Sequence, residues 1–144
     1  MRKTAVVDSG PFVALFDKDD KYHNQTKERI IAFREEKGRL MTTWAVLTEV
    51  AYLLHTRISL KAELRFLEWL SLDNVGIVTL EIIHMNQIIK LQDKYSSRLM
   101  DFADATVLIA AEIIQTQQVF SLDFKDFFIY RSLHGKPFQN LLGN

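Results

Sequence analysis

Apolar residues along this chain fall into two patterns, short unbroken runs and longer stretches with helical spacing, and the two patterns alternate. Thr4 to Val7 is a short run that ends at Asp8 and the Ser9-Gly10-Pro11 breaker, which reads as a buried strand entering a turn. Pro11 suits the first turn of a following helix. Tyr22 to Glu36 sets Ile30, Ile31 and Phe33 among lysines and glutamates before a Gly38 stop signal, predicting a surface helix. Arg39 to Thr43 predicts a second strand. Within Trp44 to Thr56, Val46, Leu47, Val50, Ala51, Leu53 and Leu54 recur at helical spacing, giving an amphipathic helix with a wide apolar face and Glu49 inside it. Leu60 to Leu72 predicts another helix, and Gly76 to Leu80 a third strand after the Asp73-Asn74 turn signal. Glu81 to Tyr95 and Phe102 to Thr116 predict two more helices, separated by the polar run Ser96, Ser97 and Arg98. Val119 to Leu122 is a fourth strand, ending beside Asp123.

Strands alternating with helices imply an α/β fold with a parallel sheet covered on both faces, because each parallel pair needs a crossover. Ligands in such sheets bind outside the carboxyl ends of the strands. The chain has 144 residues, and no repeat, low-complexity tract or linker interrupts it, so residues 1–144 are expected to form one domain. Hydrophobic residues at 48% and charged residues at 25% are an ordinary globular mixture.

Charge narrows the function classes. Eighteen basic side chains cancel eighteen acidic ones, so no overall field draws the chain onto nucleic acid or anionic lipid, and any RNA contact must be a local patch. Without cysteine there are no disulfides, thiolate metal sites or cysteine nucleophiles, which fits the cytoplasm. The opening MRKTAVVDSG has too short an apolar stretch for a signal peptide, and no uncharged run approaches the ~18 to 20 residues of a membrane span.

The chemistry-bearing candidates are acids. Asp8 and Asp123 each follow a proposed strand and would emerge at the same sheet edge; either one alone could be a helix cap or a turn residue. Glu49 sits among Leu47, Val50 and Ala51, where an ionised carboxylate is costly unless compensated, although an edge position reaching water would also serve. Asp101 and Asp104 lie three apart at the start of the apolar helix MDFADATVLIAAE, on one face; Asp101 also reads as a simple N-cap. Asp104 precedes the buried-looking run Ala105, Val107, Leu108, Ile109, Ala110 and Ala111. Carboxylates gathered in a shallow pocket suit Mg²⁺, which favours carboxylate and water oxygens, and such an ion can promote phosphodiester hydrolysis. Without a cation the same acids would raise one another's pKa values.

Four segments, VVDSGPFVALFDKDDKYH, TTWAVLTEVAYLL, MDFADATVLIAAE and VFSLDFKDFFIYR, together resemble the PIN domains, and within them the VapC-like toxins of toxin-antitoxin pairs. The resemblance spans nearly the whole chain. It implies a three-layer α/β/α fold around a central parallel sheet of four to five strands, with Mg²⁺ or Mn²⁺ bound in an acidic cluster that cuts RNA. It also implies roles by position: Asp8, Glu49, Asp104 and Asp123 as catalytic, metal-holding acids, with Asp101 and Asp126 as accessory acids. Ser9 stands where Thr or Ser is usual and could orient Asp8, and Ser121 stands where Thr is common. Gly10-Pro11 departs from the more usual Ser-Ala, which puts the loop beside Asp8 in question but not its carboxylate. The resemblance further implies an RNA substrate, a cognate antitoxin protein and a possible homodimer. Alternatives are a non-catalytic PIN module that binds RNA or protein, and a housekeeping RNA-processing nuclease.

Other polar residues carry weaker signals. His23, His55, His84 and His134 show no spacing of a zinc site and read as surface or core histidines. Arg98, Lys125 and Arg131 lie near the acidic motifs and are candidates for phosphate contacts, with plain solvation the alternative. Trp44, Tyr52, Phe66 and Trp69 read as core first, with a base-stacking surface or a partner interface as the alternatives. Residues around Leu53, Leu54, Phe66, Leu67 and Leu70 could form a groove for a partner helix or a second copy.

Overall fold

The computed structural model describes residues 3–143. The expectation about a leader segment concerns Met1 and Arg2 in part, which lie outside those residues. The chain runs β1 (Thr4–Val7), α1 (Ser9–Phe16), α2 (His23–Glu35), β2 (Arg39–Thr42), α3 (Trp44–Arg57), α4 (Leu60–Ser71), β3 (Gly76–Ile77), α5 (Met85–Lys94), α6 (Phe102–Ile113), β4 (Gln118–Phe120), α7 (Phe124–Ile129) and β5 (Gln139–Asn140). The strands form one five-stranded sheet in the order β3-β2-β1-β4-β5, and every pairing is parallel.

β1 lies at the centre of this sheet. Ala5, Val6 and Val7 are each 0% exposed, and since successive residues point to opposite faces, both faces are covered. This is the expected three-layer arrangement. On one side α6 packs against β1; elsewhere α2 packs against β2. Phe33 of α2 meets Phe120 of β4 edge-on at 5.4 Å, and Phe12 and Phe16 of α1 meet Phe66 of α4 at 5.5 and 5.3 Å. Full burial of each such ring contributes about 1.5 to 3 kcal/mol.

Several expected elements differ. The third strand stops at Ile77 rather than Leu80, because its one partner, β2, turns at Thr43 into α3; only Val78 N still reaches Thr42 O, at 2.8 Å. The helix expected over Glu81 to Tyr95 begins at Met85 instead. Ahead of it Glu81 and His84 exchange capping bonds around a single 3₁₀ turn, Ile82–His84, whose Ile82 and Ile83 are 84% and 78% exposed and so have no packing face to hold an α-helix. The C-terminal α7 and β5 are additions to the expected elements. β5 is two polar residues tied to β4 by Gln139 N to Gln117 O at 2.7 Å and Leu141 N to Val119 O at 2.8 Å.

Two of the aromatics expected in the core lie outside it. Trp44 and Tyr52 are 62% and 66% exposed, because positions 44, 48 and 52 form a stripe of α3 turned away from the buried stripe of Val46, Val50 and Leu54. Phe66 is fully buried and Trp69 half-buried, packed on Phe12 and Phe16. The expected groove shifts with them: Leu54 and Phe66 are core, and the cleft of about 650 Å³ along α3 and α4 is lined by Trp44, Ala51, Tyr52 and Leu67 among others. Among the described residues no helix is long and apolar enough to cross a membrane.

Candidate active site

Asp8 follows β1 directly, and its N–H donates to Phe120 O at 2.9 Å, so the ends of β1 and β4 are locked together. That register brings the segments after both strands to one edge. Asp8 precedes α1 but makes no side-chain cap bond; its Oδ2 accepts from Ser121 Oγ at 3.1 Å. Ser121 in turn accepts from Asp123 N–H at 2.9 Å. One fully buried hydroxyl therefore holds both segments in place. Gly10 permits the approach, since a Cβ there would stand 3.3 Å from Leu122 Cβ.

Glu49 and Asp104 arrive on helices. Thr43 caps α3 by accepting from Val46 N–H at 3.3 Å, and its hydroxyl also pairs with Thr106 Oγ1 of α6 at 2.8 Å. This buried Thr43–Thr106 link fixes the two helices against each other. Asp101 is the N-cap of α6, as one reading of its position expected: Asp104 N–H donates to Asp101 Oδ1 at 2.8 Å and Asp101 N–H to Asp104 Oδ2 at 3.1 Å.

The carboxylates feel one another. Burial, opposed by hydrogen bonds and reinforced by Glu49 and Asp101, pushes Asp8 from 3.8 up to about 6. Asp104 is pushed to about 8, by burial first and then by Asp8. Burial and the neighbouring Asp126 carry Asp123 to about 6, with Asp8 adding to the rise. Glu49 is raised by burial and by Asp101 and lowered by Arg57, the one cation among the described residues that tempers any of the four. Ser9 Oγ faces Glu49 and lowers its pKa slightly, yet it is buried without a hydrogen bond of ordinary geometry.

Glu49, Asp104 and Asp123 therefore all lie within electrostatic reach of Asp8, at the ends of β1 and β4 and of the helices beside them. Among the described residues no three acidic or histidine side chains are grouped so that they could hold a metal ion as they stand. Asp104 is turned back to its own helix cap and Asp8 is held by Ser121. Oxygen donors of this kind suit a hard cation that keeps several waters and takes only a few carboxylates directly.

Basic candidates separate in the structure. Arg98 pairs with Asp126 at 3.5 Å, at the rim of the pocket. Arg131 Nη1 donates to the carbonyls of Phe128, Ile129 and Tyr130, and so caps α7. Lys125 is exposed. The histidines are dispersed: His23 bonds Ala14 O, His84 belongs to the cap before α5, and His55 and His134 pair with Glu63 and Glu112. Missing from the expected set is Tyr130, a buried residue whose phenol lies in the field of Asp104, Asp126, Asp123 and Asp8. An aromatic in FFIYR reads as core, and no spacing signal marks its hydroxyl.

A parallel α/β sheet with an acidic pocket at its carboxyl edge is the class that fold and site define. The family model described as PIN domain matches residues 5–130, and the chain belongs to that family. It is 27% identical over 138 residues to Ribonuclease VapC26 of Mycobacterium tuberculosis, covering 92% of this chain and 96% of that protein. Its fold is similar to that of Mycobacterium tuberculosis VapC20, a Sarcin-Ricin loop cleaving toxin, with a TM-score of 0.72, 22% identity, and coverage of 85% of this chain and 93% of that one. It is also similar to a chain of VapBC2 from Rickettsia felis, solved bound to a DNA fragment from their promoter, with a TM-score of 0.69, 11% identity, and coverage of 95% and 98%.

Proposed function

We propose that this chain is a divalent-cation-dependent endoribonuclease, the toxin of a type II toxin-antitoxin pair, acting as a single domain in the cytoplasm. The carrying observation is that acids from separate elements lie close enough for their charges to push one another's pKa values up, and that among the described residues Arg57 is the cation that lowers one of them. Similarity to a VapC ribonuclease along nearly the full length of both chains supports the RNA substrate. Likeness in fold to a VapBC assembly supports an antitoxin partner.

The residues fit Mg²⁺ or Mn²⁺. All the donors are carboxylates, their mutual repulsion is what a cation relieves, and Ser9 Oγ is a buried polar atom beside them without a partner. Asp8, Glu49, Asp104 and Asp123 would hold the ion. When bound, it supplies Lewis-acid polarisation of the phosphodiester and makes water easier to deprotonate. Ser121 orients Asp8 and, through Asp123 N–H, the loop that carries Asp123. Asp126 raises the pKa of Asp123 and pairs with Arg98 at 3.5 Å, which sets a guanidinium beside the acids where it can meet an RNA phosphate. Lys125 is free to add a second phosphate contact, whereas Arg131 is committed to the end of α7. The apolar cleft with Trp44 and Tyr52 offers a surface for the antitoxin or a second copy.

The test is purified protein incubated with total RNA and Mg²⁺, Mn²⁺ or EDTA, followed by mapping of the cut ends. Discrete internal cuts with either metal and none in EDTA are expected. Binding of RNA without cuts would favour the non-catalytic module, and equal cutting in EDTA would remove the cation.

A further inference from the structure

Tyr130 follows the last turn of α7, and its side chain is 0% exposed. Tyr95 and Phe127 pack edge-on against its ring at centroid distances of 4.8 and 5.1 Å, which fixes where its hydroxyl points. That hydroxyl has no hydrogen-bond partner among the described residues, although the adjacent phenol of Tyr95 accepts from Arg131 N–H at 3.0 Å. A buried polar group left unpaired calls for a reason, and phenylalanine would fill the same space without it. The charges that act on this phenol are those of Asp104, Asp126, Asp123 and Asp8. An unused buried donor thus lies within the electrostatic reach of four carboxylates.

We propose that Tyr130 is a positioning residue of the acidic pocket, its O–H donating to a pocket carboxylate, Asp104 first, once that side chain leaves its backbone cap. The inference rests on the cation-dependent reading above. Asp104 is singled out because its charge acts most strongly on the phenol and because its Oδ2 is engaged at 3.1 Å by an exposed N–H that water can satisfy instead. Swinging inward gives the buried hydroxyl its partner and adds a carboxylate to the ion's donors, and a hydrogen bond to a charged acceptor is the strong kind. Partners that orient ligands in this way set metal affinity from behind the ligand.

Y130F removes one oxygen and keeps the ring. Binding of Mn²⁺ to the full chain, followed by the loss of the free-ion EPR signal well below the melting temperature, should weaken about 10-fold. The metal-free melting midpoint should hold or rise, because an unpaired buried hydroxyl is gone. Y130F that binds Mn²⁺ as tightly as the parent overturns the proposal, whichever way its midpoint moves. The two levels separate cleanly: a parent chain that binds Mn²⁺ and cuts RNA beside an unaltered Y130F removes only Tyr130, whereas a parent that neither binds Mn²⁺ nor cuts removes the nuclease reading and Tyr130 with it.

Discussion

The two edges of the sheet handle charge in opposite ways. At the amino edge a cleft of about 610 Å³ is lined by Lys3, Arg34, Lys37, Arg39 and Glu36, and three of its four cations have partners. Lys3 meets Glu36 at 3.7 Å, Arg34 meets Asn74 at 2.7 Å, and Arg39 reaches both Asp73 Oδ1 and its carbonyl at 2.8 and 2.7 Å. At the carboxyl edge, acids are grouped with acids, and two buried hydroxyls, those of Ser9 and Tyr130, lack partners among the described residues. The first edge is electrostatically settled and exposed, so its pairs contribute little and ask for nothing. The second is left unsettled by the fold itself. The pairing of charge is what distinguishes them.

Removing the charge at the heart of the carboxyl edge is the sharpest way to break this contrast. Asp8→Asn should lower RNA cleavage with Mn²⁺ by on the order of 10² to 10³-fold, the scale for losing one group that stabilises developing charge. Its metal-free melting midpoint should hold or rise, because the buried acid becomes neutral. Parent-level cleavage by this variant would show the pocket to be irrelevant to the chemistry.

Proton linkage gives the next largest effect. Asp8, Asp104 and Asp123 have folded pKa values of about 6, 8 and 6, above the ordinary 3.8. Groups raised in this way hold protons more tightly in the folded chain than in the unfolded one. Their contribution is therefore complete below the ordinary value and is lost as pH climbs through the raised values. In EDTA the melting midpoint should fall between about pH 5 and about pH 9, and fall less steeply in Asp8→Asn. A midpoint flat or rising across that window in the parent contradicts the charge crowding.

The smallest effect belongs to the amino edge. Arg39→Ala deletes the pair with Asp73, whose side chain is 85% exposed, so stability should drop by no more than about 1 kcal/mol and cleavage should not change. A large loss of cleavage in Arg39→Ala would mean that the settled edge also touches substrate.

Much of this was legible before any coordinates. Thr4–Val7 announced a strand buried on both faces, since an unbroken apolar run has no polar side to show water. Asp8 and Asp123 could be placed at one edge because parallel strands deliver the residues that follow them to the same side of the sheet. Elements without periodicity stayed hidden: Gln139–Asn140 is a strand only because Gln117 and Val119 offer carbonyls to it. Trp44 and Tyr52 misled because an aromatic residue's composition signal is the same on either face of an amphipathic helix.

The alternation of strands and helices as far as β4, the candidate acids and the family were determined by the sequence alone, because hydrophobic period and motif spacing are local properties of the chain. Only the tertiary structure decided that Ser121 bonds Asp8 across 113 positions, that Thr43 locks to Thr106, and that the Tyr130 hydroxyl ends up unpaired among carboxylates. Those outcomes depend on which distant groups packing brings within hydrogen-bonding reach and on how much water it removes around them, and neither quantity is written in any short stretch of residues.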